Sequence, residues 1–424
     1  MTIEFSRRSA LKIGGALAIT SCTHGPATNS SPDIANWIPN DEKNALILAA
    51  MEKFQVSGVG MAVIEDGEVI WNGNYGVSNI ETGAPINDQT LFQAASLTKP
   101  LFAYTVLRLI DAGVIKMEDR LVDTYRPHDL SDNSWNEAIT VRHVLTHRTG
   151  LPNWRPADDE TALLDAAYEP GTAYSYSGEA FHWLQQVCET KTGLGLHALT
   201  NKYLLTPAGL TDMSMLWLGD RADREVYGHI VDEDGKAKLA ELQFAHEHGT
   251  RLDEVSKRSG VDMRSWSFED MQAANAQIRP HTHPRISGYP LWRLNRPGSS
   301  LLSSASSLRT TPADYARFLA LVMNNTGPAA ISGSLRDEMI SIQTDVADSG
   351  PNRPVGLSWS LEVLDGGVAF DHWGFNARQH ISSGLADTSN RRGLVMMTNG
   401  AQGNRFMDEI GVVITSTAYD SYAF

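Results

Sequence analysis

Strand patterning occurs near both ends of this 424-residue chain and hardly at all between residues 97 and 345, so any sheet must join segments distant in sequence. Residues 58–64 and 68–71 are mostly apolar and flank Glu65-Asp66-Gly67, the pattern of two antiparallel strands joined by an Asp-Gly turn. Strand-like stretches return at 355–363, 368–370 and 393–397, where they read as a C-terminal antiparallel meander. Helical periodicity at 42–54 and 404–416 supplies a helix near each end. These signals predict an α/β fold: an antiparallel sheet flanked by N- and C-terminal helices and interrupted by a mostly helical subdomain, with a site where the two parts meet.

Ser96-Leu97-Thr98-Lys99 lies where the first strand pair gives way to a helical run that reaches Gly113. Residues three apart on a helix share a face, so the Lys99 amine can reach the Ser96 hydroxyl. A serine alcohol needs a base to become a nucleophile, and a lysine serves once burial or nearby charge lowers its pKa. The first turn of a helix also offers unpaired N–H groups to a developing oxyanion. Spacing alone is weak evidence, since Ser9-Ala10-Leu11-Lys12 repeats it inside an apparent export signal. Context separates the two.

Further stretches carry a family resemblance. Val144-Leu145-Thr146-His147-Arg148-Thr149-Gly150-Leu151-Pro152 and Pro170-Gly171-Thr172-Ala173-Tyr174-Ser175-Tyr176-Ser177-Gly178 accompany the Ser96 motif, as do segments at 204–212 and 308–318. Together they resemble the active-site serine hydrolases that include class C β-lactamases, DD-peptidases and related esterases. The likeness runs from about residue 45 to the C-terminus and fades near 220–295. It implies a β-lactamase/transpeptidase-like fold, Ser96 as nucleophile, and Lys99 and Tyr176 as the groups that exchange its proton. Relatives usually continue Tyr-x-Asn, with an amide that bonds the lysine and a substrate carbonyl. Gly178 stands in its place and turns the expectation toward an ester or amide substrate.

The family's third motif lies on a strand after the helical part. Lys191-Thr192-Gly193 has the letters of that motif but follows a helical run, so Gly193 reads as a helix C-cap. His372-Trp373-Gly374 has the right context, and many relatives carry His-x-Gly there. The resemblance then gives His372 to the substrate or proton network, lets substrate approach the backbone at Gly374, and forms the oxyanion hole from the N–H groups of Ser96 and Phe375. It implies a serine hydrolase acting through an acyl-enzyme on a small ester, amide or peptide. The alternatives are a β-lactamase or D-alanyl-D-alanine carboxypeptidase and, from another class, a catalytically weak penicillin-binding or sensor protein.

No cofactor is expected. His246-Glu247-His248 and His281-Thr282-His283 lack the His-Glu-x-x-His pattern of zinc hydrolases, and neither a Gly-x-Ser-x-Gly elbow nor a phosphate-binding Gly-rich motif occurs. A net charge of −15 and a pI near 5.3 argue against nucleic acid as a partner. The first residues read as an address: Arg7-Arg8 resembles twin-arginine export, and Ile19-Thr20-Ser21-Cys22 resembles a lipobox that would lipidate Cys22 in the cell envelope or periplasm. Ordinary cleavage releasing a soluble protein is the other outcome. With only Cys22 and Cys188 present, a lipidated Cys22 leaves no disulfide partner. The expected organisation is an export signal over 1–21, a tether over 22–40 and one hydrolase domain over 41–424. Within that domain the sheet part is about 41–96 and 350–424, the helical part about 97–349, and an insertion about 219–296.

Overall fold

Asp66 and Gly67 both adopt positive φ, 52° and 77°, the conformation that lets a tight hairpin follow the natural twist of its strands. They turn Gly58–Glu65 (β1) back onto Glu68–Asn79 (β2), which continues to the short Ala84–Pro85 (β3). The computed structural model describes residues 36–155, 161–241, 243–278, 302–345 and 353–422. Two short pairings add Phe92–Gln93 (β4), His229–Val231 (β5), Ala237–Leu239 (β6) and Arg309–Thr310 (β7), with β4 on β7 and β5 on β6. The C-terminal meander is Ser360–Leu364 (β8), Gly367–Asn376 (β9), His380–Asp387 (β10) and Arg392–Thr398 (β11). It joins the N-terminal hairpin through β1 and β11, Val59 opposite Thr398, to make a seven-stranded sheet in the order β3-β2-β1-β11-β10-β9-β8. Every pairing in it is antiparallel.

Alternation along β1 and β11 loads both faces of the sheet. Val59, Met61, Val63, Leu394 and Met396 face the helices Asp41–Phe54 and Gly403–Thr415, while Ala62, Val395 and Met397 join the core containing Tyr315, Phe318 and Leu319 of the helix Pro312–Asn324. Each fully buried side chain of this size contributes about 1.5–3 kcal/mol, so the junction of the two chain ends is held by packing as well as by the ladder.

Three expectations are revised. The segment 22–40, read as a tether, runs into the fold at its end: Trp37 is 4% exposed, its ring stands edge-on to Tyr419 at 6.0 Å, and the compact unit spans Trp37–Phe424. The strand expected from 355 begins only at Ser360, because Ser358 takes a positive φ of 70° and turns the chain. The described part of the segment read as an insertion, 219–296, is integral to the fold, since Val226, Leu252, Val255, Met263 and Trp266 lie in the main core. Beside them Arg309 meets Glu225 at 3.1 Å, and burial pushes the Glu225 carboxyl up to about 7 despite that partner. Helices form here at Phe244–Ser259 and Phe268–Ile278, and Asp232–Lys236 turns the β5–β6 hairpin.

Candidate active site

Ser96 sits in a 3-10 turn, Ala95–Leu97, that runs straight into the helix Thr98–Asp111. Ala95 is held at a φ of 50°, a conformation that costs a residue with a Cβ about 1–2 kcal/mol. The surroundings fasten it. The Thr98 hydroxyl donates to the Ala95 carbonyl at 2.5 Å and accepts the Leu308 N–H at 3.1 Å, the Ala94 N–H donates to the Leu308 carbonyl at 2.9 Å, and the Tyr315 hydroxyl donates to the Leu97 carbonyl at 3.0 Å. The turn is thus tied to the loop ahead of β7 and to the helix under the sheet.

Lys99 is 1% exposed, and its Nζ lies 3.1 Å from Ser96 Oγ, 3.1 Å from the Ala305 carbonyl and 4.6 Å from the Tyr176 ring centre. Among the described residues it has no carboxylate partner. Burial without a counter-charge disfavours the ammonium and pulls its pKa down to about 7. The Tyr176 phenol hydrogen-bonds Ser96, and burial raises its pKa above the ordinary value against that bond, so it holds its proton. One buried group is therefore ready to accept a proton and its neighbour to give one.

His372 enters from β9. The last β8 partner of that strand is Asp371, so His372–Asn376 pair with β10 alone and run on past the edge of β8. His372 Nδ1 lies 2.7 Å from the Trp373 carbonyl, which places the ring proton on Nδ1 and leaves Nε2 as an acceptor 3.5 Å from the Tyr176 hydroxyl. Burial, then the charge of Lys99, pulls its pKa down to about 3, so the imidazole is neutral. Gly374 needs its missing side chain: a Cβ there would lie 2.3 Å from the Ala94 carbonyl and 3.0 Å from the Ser96 nitrogen. That approach brings the Ser96 N–H beside the strand backbone one residue before Phe375. The Phe375 side chain points elsewhere, 53% exposed and stacked on Trp373 with ring centres 6.1 Å apart.

Ser96, Lys99, Tyr176, His372 and Gly374 are thus brought together, and Lys191 is not. Lys191 is exposed in the last turn of the helix Gly178–Thr192, which Gly193 ends with a φ of 69°. At 1.5 Å per residue it stands roughly 20 Å along that axis from Gly178. Two contributors had no role assigned from the sequence. His147, quoted only as a motif letter, clamps the Tyr176 loop: its carbonyl accepts the Ser175 N–H at 2.7 Å, its Nδ1 accepts the Ser177 N–H at 3.1 Å, and its ring stacks on Tyr176 with centres 4.4 Å apart. Burial, then Lys99 and His372, drives its pKa well down. The other is the backbone carbonyl of Ala305, which no side-chain pattern could reveal.

His246 stays outside the site. His246 stacks on Tyr227 at 4.1 Å and its Nε2 lies 3.1 Å from the Val226 carbonyl, while residues 281–283 fall outside the described residues, as do Cys22 and the export signal. Among the described residues no group of three or more His, Cys, Asp and Glu side chains could hold a metal ion, and no helix is long and apolar enough to cross a membrane. Cys188 is a buried free thiol.

Comparison with known proteins gives one answer at the level of family. A family model described as Beta-lactamase matches residues 44–419. Penicillin-binding protein 4* of Bacillus subtilis is 25% identical over 202 residues, 43% of this chain and 43% of its own length. Esterase EstB of Burkholderia gladioli is 29% identical over 197 residues, 40% of this chain and 50% of its own. The chain therefore spans about half the length of the curated relatives it matches. Among solved structures, an octameric penicillin-binding protein homologue from Pyrococcus abyssi superimposes with a TM-score of 0.64 at 15% identity over 88% of this chain and 77% of its own. A class C β-lactamase does so with a TM-score of 0.62 at 15% identity over 89% and 96%. The fold is β-lactamase/transpeptidase-like, and the chain belongs to the β-lactamase family.

Proposed function

We propose that the protein is a serine hydrolase that cleaves a carboxylic ester or amide through an acyl-enzyme. The observation that carries this reading is Lys99: a buried amine with no counter-ion among the described residues, 3.1 Å from a serine hydroxyl that also bonds a phenol. Ser96 Oγ attacks the substrate carbonyl carbon while its proton passes to Lys99 Nζ. The carbonyl oxygen becomes an oxyanion held by the N–H groups of Ser96 and Phe375. As the tetrahedral intermediate collapses, the bond to the leaving alkoxide or amine breaks, and that group takes the Tyr176 proton, which Lys99 replaces. Water then attacks the acyl carbon, gives its proton to the same pair and releases the acid, and Ser96 Oγ recovers a proton. His372, neutral and accepting at Nε2, orients the Tyr176 hydroxyl.

The names of the relatives, which include penicillin-binding proteins, an esterase and a β-lactamase, keep β-lactams in view as substrates. Gly178, in place of an asparagine, supports an ester or amide instead. Intact mass spectrometry after exposure to a fluorophosphonate and, separately, a penicillin tests the chemistry, and Ser96→Ala provides the control. A serine adduct that disappears in Ser96→Ala is expected with the fluorophosphonate. No adduct from either reagent, or undiminished turnover of p-nitrophenyl acetate by Ser96→Ala, would sink the assignment.

Export and anchoring complete the reading, on the strength of Arg7-Arg8 and the lipobox-like 19–22 alone. Replacing both arginines by lysine should block export, and Cys22→Ser should abolish lipid attachment. A soluble mature protein without acyl mass would refute the anchor.

A further inference from the structure

An aromatic side chain covers Gly178. This glycine opens its helix two residues after Tyr176, and a Cβ built on it would lie 2.5 Å from two ring carbons of Trp154. No side chain fits at 178 while the indole stays. Trp154 lies 5.3 Å, ring to ring, from His182 one turn along the same helix, and the His182 imidazole bonds the Ser303 hydroxyl at 2.5 Å. Two residues after Ser303, the Ala305 carbonyl accepts from Lys99 Nζ at 3.1 Å. The contacts close into a circuit that starts and ends at Ser96. Around it Ser96, Tyr176, Trp154, His182 and Ser303 each keep part of their surface open, while Lys99, Gly178 and Ala305 between them are buried. The nucleophile and the indole are thus two partly accessible points on one connected set of contacts.

We propose that Trp154 is a specificity-determining residue, the acyl-side wall of the substrate site, and that the preferred substrates are carboxylic esters with an aryl or arylalkyl acyl group. This rests on the serine-hydrolase reading given above. An indole face stacks favourably on an aromatic ring in offset or edge-on geometry. It gives no hydrogen bond to an amide carbonyl placed beside the scissile bond, which would lose its water there without compensation. The ring also occupies the space in which a side chain at 178 could have supplied such a bond.

Two measurements test this. The first compares kcat/KM for p-nitrophenyl phenylacetate, p-nitrophenyl acetate and the p-nitrophenyl ester of N-acetylglycine in the wild type, Trp154→Ala and Trp154→Phe. The phenylacetate-to-acetate selectivity should fall about 10-fold or more in Trp154→Ala and largely return in Trp154→Phe, in the range expected for an apolar pocket contact. An unchanged ratio in Trp154→Ala, or a wild-type preference for the N-acetylglycyl ester, would overturn the proposal. The second titrates phenylacetate into Ser96→Ala with and without Trp154→Ala, where the added change should weaken binding by about fivefold or more. Binding that depends on Trp154 without ester turnover by the wild type would refute the hydrolase reading and leave the wall intact. Turnover lost in Ser96→Ala, with selectivity and binding indifferent to Trp154, would refute the wall alone.

Discussion

Lys99 and Lys191 both sit in motifs with the letters of the family's chemistry, and the protein treats them oppositely. Lys99 enters at the first turn of its helix, is 1% exposed, and lies between a serine hydroxyl and a backbone carbonyl. Lys191 stands exposed in the last turn of another helix, next to the glycine that caps it. The partial positive charge at a helix N-terminus disfavours an ammonium, and the negative end at the C-terminus favours one. Burial adds to the first case and water removes the strain from the second. Position along the helix and access to solvent thus set a buried amine with a lowered pKa apart from an exposed side chain, although the residues are identical.

That contrast can be broken experimentally, most forcefully at Lys99. Lys99→Ala should lower kcat/KM for p-nitrophenyl acetate by about 100-fold or more, the range expected for loss of a positioned base. A variant within a few-fold of wild type would remove the distinction between the two lysines. With Lys99 held near 7, its neutral form dominates above that pH and its ammonium below, so kcat/KM should rise through about pH 7 and level off at higher pH. A rate that falls across this interval contradicts Lys99 as the base.

His372→Ala should reduce kcat/KM by about 10- to 1000-fold, equivalent to roughly 1.4–4 kcal/mol of transition-state stabilisation. Because its ring proton is assigned to Nδ1, His372→Gln, which can still present an acceptor, should retain more activity than the alanine. His147→Ala removes the clamp on the Tyr176 loop and should lower kcat by about 10-fold with little change in KM, whereas His147→Asn, whose amide oxygen can still accept the Ser177 N–H, should recover part of the loss. A rise in KM alone would assign His147 to substrate binding. Smallest of all, Lys191→Ala should stay within about 2-fold of wild type in rate and within about 0.5 kcal/mol in stability, as an exposed substitution does. A larger drop would return Lys191-Thr192-Gly193 to consideration.

The parts of the site set by local chain order were legible beforehand. Ser96 and Lys99 are three residues apart on one helical run, Asp66-Gly67 is a hairpin signal, and Gly193 follows a periodic stretch with no strand nearby. Each follows from covalent spacing and backbone preference. Residues that act through long-range packing were not: His147 supports Tyr176 from 29 positions away through a carbonyl, a ring nitrogen and a ring face, and Ala305 contributes a peptide oxygen that carries no sequence signal. Trp37 was misread for a related reason. Polar, Pro-rich neighbours suggest a tether, whereas the Tyr419 ring, the Arg392 guanidinium and the core between the sheet and the terminal helices, all distant in sequence, give the indole somewhere to bury.

The sequence by itself determined the strands at both ends, the helical interruption between them and the serine with its lysine one turn on, while the family resemblance pointed to the His-x-Gly strand. Periodicity and short spacing are properties of a chain before it folds, so these could be read directly. Only the tertiary structure decided that Lys99 is buried with no counter-ion among the described residues, that β9 outruns β8 and lies over the Ser96 turn, and that Trp154 fills the space above Gly178. Those three depend on which distant surfaces exclude water from one another, and desolvation belongs to the packed assembly rather than to any stretch of its sequence.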